Sequence, residues 1–343
     1  MSSTLALIES PAQLLNLLEW VLGERRGAHD PERVRVAVLL PRDAATCRQL
    51  DAMASLAGAE GIRVSVHDIR RHPAALARCG AVLGPQLAGA GRLVLGDPFS
   101  GLIQRLLPLA RSARDVVLVD DGTATLELAT QLLAGRPLVR WHTTGPAPAA
   151  ARRATRHLTP GHGRRLEVFS SIAKDLLLPP GGVVAVNTYS WTRSRFGPPE
   201  VLAGTDLVGT SLAETGLVDQ GRYVAEVAAL AKELGCRRYL AHRREDPAKL
   251  ERIARATGTE ILLPELPLEL ALRTGPVGRT VVSFASTVVH TLPAVLAGTG
   301  VEVAVHDGAV DWLKHDAPDR VRTFLEEVIT TARNRHRLRI VHT

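Results

Sequence analysis

Leu5-Ala-Leu-Ile-Glu-Ser-Pro-Ala-Gln-Leu-Leu-Asn16 begins as an apolar run, breaks at two polar residues, and resumes with helical spacing. Ser10 suits a helix N-cap, and Pro11 suits the first helical position, where a missing N–H costs nothing. Gln13 stands three residues after the cap, the spacing of a capping box. The stretch reads as a β-strand that runs straight into a helix. Short β-branched or apolar runs alternate with helical periodicity through the rest of the chain, which is the pattern of parallel sheets with crossover helices. The fold class is α/β.

Strands are expected at Thr4–Ile8, Val34–Leu40, Ile62–Val66, Arg92–Leu95 and Val116–Val119, with later ones near Leu138 and Val183. A second series is expected at Asp206–Val208, Arg238–Leu240, Glu260–Leu263, Thr280–Ser283 and Val301–Val305. A chain of 343 residues exceeds what one hydrophobic core usually organises. The turn-rich passage Thr192–Gly204, with Gly197-Pro198-Pro199, separates the two series. It gives domains 1–196 and 197–343. Asp319–Ala332 carries Val321, Phe324, Leu325, Val328 and Ile329 at amphipathic-helix spacing, so this helix packs on one domain or closes back across both.

Composition excludes several classes. With 45% hydrophobic and 22% charged residues the chain is globular, and no apolar run reaches the roughly 18 residues of a spanning helix. The N-terminus lacks a basic leader with an apolar stretch, which points to a cytoplasmic protein. Cys47, Cys79 and Cys236 are odd in number and far apart, the pattern of neither a disulfide framework nor a zinc site. The net charge of +7 is local: Arg140, Arg152, Arg153, Arg156, Arg164 and Arg165 lie in an acid-free stretch, and Arg333, Arg335, Arg337 and Arg339 in an acid-free tail. Such patches suit an anionic phospholipid surface, with the protein peripheral at the inner face of the membrane, or an acidic polymer; equally, they serve as solvated surface. An aromatic content of 3% leaves little for base stacking and argues against nucleic acid.

In open parallel sheets ligands bind beyond the carboxyl ends of the strands, so strand-to-helix turns carry the candidate site. The quoted Ser10 turn is one. Val116-Val-Leu-Val-Asp-Asp-Gly-Thr places Asp120 and Asp121 at the end of a strand, with Gly122 to allow the sharp turn. Adjacent side chains there point to opposite sides, so one carboxylate can face substrate as a general base while the other ties down the loop. His242, after Arg238-Tyr-Leu-Ala and before Arg243 and Arg244, suits a leaving phosphate. Glu269, after a Pro-containing turn, suits ribose hydroxyls. Ser283, Ser286 and Thr287 cluster at a strand end and a helix start, a phosphate cradle without metal or Walker lysine. Each motif alone also has an ordinary structural reading, as cap, turn or surface residue.

In their order and spacing these segments resemble the bacterial sialyltransferases of the polysialyltransferase and lipooligosaccharide sialyltransferase group, including glycosyltransferase family 52. Asp120-Asp121-Gly122 is similar to that group's acidic motif, His242 to the histidine of its His-Pro motif, and Ser286-Thr287 to its Ser-Ser or Ser-Thr motif. The Ser10–Asn16 segment resembles its opening, and Asp206-Leu-Val-Gly209-Thr-Ser its first strand of domain two. Arg243 stands where the group has proline, and the His72-Pro73 pair lies in the wrong domain.

The resemblance implies a GT-B fold, two Rossmann-like domains facing a central cleft, with a CMP-nonulosonate as donor, a glycan hydroxyl as acceptor, and no metal or other cofactor. It assigns Asp121 as base, with Asp120 beside it and His242 on the leaving phosphate. Ser286, Thr287, Ser283, Glu269, Gly209 and Arg243 are the implied donor contacts, and Gln13, Asn16, Gly122 and Asn187 the implied acceptor side. Two other readings stay open: another GT-B nucleotide-sugar transferase or epimerase using UDP or GDP sugars, and a noncatalytic polyanion-binding protein built on the arginine patches.

Overall fold

The computed structural model describes the chain except residues 1–2, 25–29, 71–72, 120–121, 123, 141–144, 162, 173–175 and 343. It divides into two compact units, Met1–Trp191 and Thr192–Thr343.

The first unit contains β1 (Thr4–Ile8), α1 (Pro11–Leu22), β2 (Val34–Leu39), α2 (Ala44–Ala59), β3 (Arg63–His67), α3 (Pro73–Gly89), β4 (Arg92–Leu95), α4 (Gly101–Leu106), β5 (Asp115–Val119), α5 (Ala124–Leu133), α6 (Ala149–Leu158), β6 (Arg165–Ser170) and β7 (Gly182–Val186). Its seven strands are all parallel, in the order β3-β2-β1-β4-β5-β6-β7. The short helix α7 (Ser190–Phe196) spans the division.

The second unit contains β8 (Val201–Val208), α8 (Gln220–Glu233), β9 (Cys236–Leu240), α9 (Pro247–Thr257), β10 (Glu260–Leu262), α10 (Leu268–Thr274), β11 (Val277–Phe284), α11 (Val288–Val295), β12 (Glu302–His306), α12 (Asp319–Asn334) and β13 (Arg339–Val341). Its six parallel strands run β10-β9-β8-β11-β12-β13. In both sheets the chain first winds one way from the earliest strand and then returns to its other side, so a topological switch point falls between β1 and β4 and again between β8 and β11.

The cores follow from the strand pattern. Strands buried on both faces read as continuous apolar runs; β1 is buried at every position, and β5 at every position but its first. Leu7, Leu95, Leu118 and Val168 meet the helices in one core, and Leu207, Tyr239, Val282, Phe284 and Ala304 in the other. The predicted stripe of α12 settles onto the second core: Val321, Leu325 and Val328 are buried, with Phe324 and Ile329 packed against the same cluster. Among the described residues no helix is long and apolar enough to cross a membrane.

At four places the structure differs from the sequence expectation. Among the described residues no strand forms near Leu138. Its backbone polar groups are instead satisfied by side chains: Thr155 Oγ1 accepts the Leu138 N–H at 3.0 Å, Gln104 Nε2 donates to the Leu138 carbonyl at 2.8 Å, and the Gln131 amide binds both backbone groups of Val139. The strand between β5 and β7 is β6, whose charged start obscured it; Leu166 and Val168 are buried while Glu167 accepts from Trp20 Nε1 at 3.3 Å. The basic tail likewise supplies an edge strand, β13, whose Arg339 pairs with Glu302 at 2.6 Å. The division falls at Trp191/Thr192 rather than 196/197: Arg193 Nη1 donates to the Ala294 carbonyl at 2.8 Å and the Arg193 carbonyl accepts from Arg273 at 3.3 Å, so residues after Trp191 are tied to the second unit's own helices.

Candidate functional site

At the carboxyl ends of the first sheet, Ser10 caps α1 as read from sequence, its Oγ accepting the Gln13 N–H at 3.2 Å. The Gln13 side chain reaches back past the cap, Oε1 accepting the Glu9 N–H at 2.9 Å. This position requires Gly96 at the end of β4, where a Cβ would stand 2.0 Å from Gln13 Oε1. The switch point is thus closed by Gln13 against a glycine. Two ion pairs flank it, Glu9 with Arg70 and Asp97 with Arg140. Arg70 also donates to the Leu40 carbonyl at 2.6 Å.

Asn16 and Asn187 are buried and bonded to one another, Asn187 Nδ2 donating to Asn16 Oδ1 at 3.0 Å. The Tyr189 hydroxyl donates to the same oxygen at 3.2 Å, and Asn187 Oδ1 accepts the Tyr189 N–H at 3.0 Å. These bonds stitch α1 to the chain leaving β7. Gly122 is buried with φ of 153°, a backbone that side chains disfavour, and its carbonyl accepts the Thr125 N–H at 3.3 Å. Asp120 and Asp121, between the end of β5 and this glycine, lie outside the described residues.

In the second sheet, register brings the strand ends level: Ser283 pairs with Val208, Val208 with Leu240, and Leu240 with Leu262. The turns carrying His242, Gly209 and Ser286-Thr287 therefore leave the sheet side by side, the last two on either side of the switch point. Ser283 is fully buried, and among the described residues its Oγ has no hydrogen-bond partner. Ser286 and Thr287 are half-buried. Thr287 occupies the N-cap position of α11 without a side-chain capping bond, and neither hydroxyl engages another described residue. Among the described residues, then, three hydroxyls without partners lie within five residues of one another, Ser283 near the end of β11 and Ser286 and Thr287 at the start of α11.

His242 is half-buried. Its Nδ1 accepts the Arg244 N–H at 3.2 Å, which puts the ring proton of the neutral form on Nε2. Arg243, in place of proline, is half-buried within this turn, and Arg244 is exposed. Glu269 sits in the first turn of α10, buried, and Oε1 accepts the Thr291 hydroxyl of α11 at 2.8 Å. Gly209 is required by packing, since a Cβ would lie 2.2 Å from Glu245 Oε2 and 2.4 Å from the Tyr239 hydroxyl.

Those two neighbours, which also look like part of the group's histidine motif, belong to a polar cluster to which sequence reading assigns no role: Tyr223, Tyr239, Glu245 and Lys249 are buried, and Glu214 joins them from the exposed side. The Tyr239 hydroxyl donates to Glu245 at 2.6 Å, and Lys249 Nζ lies 2.8 Å from Glu245 and 2.9 Å from Glu214. Burial pushes the Glu245 carboxyl up against the pull of Lys249, and pushes both tyrosine hydroxyls well above their ordinary range. The arginine patches are smaller than their sequence suggests. Arg140, Arg165 and Arg339 are in ion pairs, while Arg152, Arg153 and Arg156 line the exposed face of α6.

Two Rossmann-type parallel sheets in one chain, each with a switch point and turns rich in polar residues, define the GT-B architecture. Solved structures share it. One is an α/β-galactoside α-2,3-sialyltransferase from Photobacterium phosphoreum, 10% identical, covering 99% of this chain and 99% of its own with a TM-score of 0.50. Another, described as a UDP-N-acetylglucosamine 2-epimerase from Listeria monocytogenes, is 13% identical over 98% of this chain and 89% of its own, with a TM-score of 0.52. No protein-family model and no curated protein sequence matches the chain.

Proposed function

We propose that the protein is an inverting glycosyltransferase that moves a nonulosonic acid from its CMP donor to a glycan hydroxyl. The observation that carries this reading is the trio of unengaged hydroxyls, Ser283, Ser286 and Thr287, at the second switch point and the start of α11. A helix start with free hydroxyls and N–H groups suits a single phosphate, the group through which CMP is joined to its sugar.

In this mechanism Asp121 takes the proton of the acceptor hydroxyl as its oxygen attacks the donor's anomeric carbon. The bond from that carbon to the phosphate oxygen breaks, and CMP leaves with the electron pair. His242 Nε2–H donates to the departing phosphate, while the three hydroxyls hold its other oxygens. Glu269 and Gly209 border the nucleoside. The scheme handles the leaving charge with hydrogen-bond donors and calls for no metal. The exposed arginines of α6 offer an anionic phospholipid surface or an acidic acceptor chain a place to rest.

The first test is differential stabilisation. A ligand bound only by the folded state at a hundred times its Kd raises stability by about 2.7 kcal/mol. CMP is expected to raise Tm and UDP to leave it unchanged. Stabilisation by UDP alone would instead support a UDP-sugar enzyme on the same architecture.

A further inference from the structure

The turn that carries His242 is held from beneath by a carboxylate that the mechanism above leaves unused. Glu245 is buried, and its two oxygens serve three donors. Oε2 accepts the His242 backbone N–H at 2.6 Å. Oε1 accepts the Tyr239 hydroxyl at 2.6 Å and faces Lys249 Nζ at 2.8 Å. The Glu245 N–H returns to the His242 carbonyl at 2.9 Å, so the turn is closed in both directions. Inside it, the Arg244 N–H points at His242 Nδ1.

The same charge pair reaches the neighbouring turn. Lys249 is completely buried and also donates to the Thr210 carbonyl at 3.2 Å, with its ammonium 4.2 Å from the centre of the Tyr223 ring. The Tyr223 hydroxyl accepts the Thr210 N–H at 3.1 Å and lies 2.9 Å from the Tyr239 hydroxyl. Thr210 follows Gly209 directly. Both backbone groups of Thr210 and the backbone of His242 are therefore fastened to one buried cluster that bolts the turn after β8 to the turn after β9.

Stability alone is a poor reason for such a cluster, because apolar residues of similar volume usually serve a buried site at least as well as an ion pair. A hydrogen-bonded ion pair fixes direction, which apolar packing does not.

We propose that Glu245, with Lys249 as its counter-charge, is the positioning residue for His242, holding the turn in which Nδ1 accepts from Arg244 and Nε2 carries the proton offered to the donor phosphate. This rests on the reading of His242 as the group that meets the phosphate. Glutamine at 245 keeps the volume but offers one acceptor oxygen where three donors converge, so Glu245→Gln releases the turn. Glu245→Gln/Lys249→Met also removes the lysine left behind, which keeps the test sound if the single variant folds poorly.

The experiment compares full-length wild type and both variants by two readouts. The first is the ring 15N shifts of His242, assigned by their loss in His242→Asn. Wild type is expected to show one tautomer, with an unprotonated Nδ1, and each variant a mixture. The second is turnover of a CMP-nonulosonate, where kcat is expected to fall about 100-fold with KM for the donor changed less than about threefold. A wild-type tautomer together with wild-type kcat in the double variant would overturn the proposal. If wild type itself turns over no CMP donor, the functional reading fails, and the tautomer comparison alone decides the role of Glu245.

Discussion

At the scale of single residues, Ser283 separates a ligand-binding role from a packing role. A buried hydroxyl without a partner costs about 1–3 kcal/mol, and Ser283 Oγ has none among the described residues. Ser283→Ala is expected to leave Tm of the unliganded protein unchanged or raised, while calorimetry shows CMP bound about tenfold more weakly, a change of about 1.4 kcal/mol. Lost stability with intact CMP affinity would make Ser283 a core residue.

His290 makes a prediction about pH. Its ring is buried on α11, and burial first, then the nearby His336 and Arg335, depress its pKa to about 4; His336 Nε2 lies 3.1 Å from its Nδ1. A depressed pKa means the unfolded chain takes the proton first. The contribution is therefore complete above about pH 6.5 and is lost as pH falls toward 4, by at most about 3 kcal/mol. Denaturant unfolding between about pH 7 and about pH 4 is expected to show this slope in wild type and a shallower one in His290→Gln.

The hydroxyl trio was legible in the sequence because three hydroxyls at a strand end exceed what one N-cap needs. The pairing of Glu245 with Lys249 was not: Glu245 was visible only as part of a motif around His242, and its partners Tyr223, Tyr239 and Lys249 come alongside only in the fold.

At the scale of elements, the turns are set by what the neighbouring backbone excludes. Gly209 stands against Glu245 and Tyr239, both buried and already bonded, so neither can withdraw cheaply. Gly209→Ala is expected to lower stability by about 2 kcal/mol or more, an overpacking cost measurable by denaturant unfolding. A neutral substitution would mean the two turns are less tightly bolted than described.

Element boundaries were legible where apolar runs end in cap residues, as at Ile8-Glu9-Ser10-Pro11, and failed where side chains replace backbone pairing. Arg136-Pro-Leu-Val-Arg140 looks like a strand, but Gln104, Gln131 and Thr155 take the backbone bonds of Leu138 and Val139 at its centre. Arg165–Ser170, to which the sequence pattern assigned no strand, is the strand between β5 and β7. Local pattern gives a segment its preference, and tertiary partners decide it.

At the scale of the whole molecule, two Rossmann-type sheets give the chain two switch points. The alternating pattern announced the sheets from the first strand onward, whereas strand order, register and the edge position of β13 needed the folded chain. The chemistry divides accordingly, the proposed base following β5 in the first unit and the proposed phosphate cradle following β11 in the second. The ion pairs of Arg140, Arg165 and Arg339 show why net charge is a poor guide to partners, since part of the basic surplus holds elements in place.

Release of CMP from a CMP-nonulosonate in the presence of glycan acceptors, compared for wild type, Asp121→Ala and His242→Ala, decides whether the chain transfers a sugar from a CMP donor. Wild type is expected to turn over, each variant to lose about 100-fold or more, and Asp121→Ala to retain its CMP affinity. Full activity of Asp121→Ala, or turnover of a UDP sugar in place of the CMP donor, would contradict the proposed mechanism.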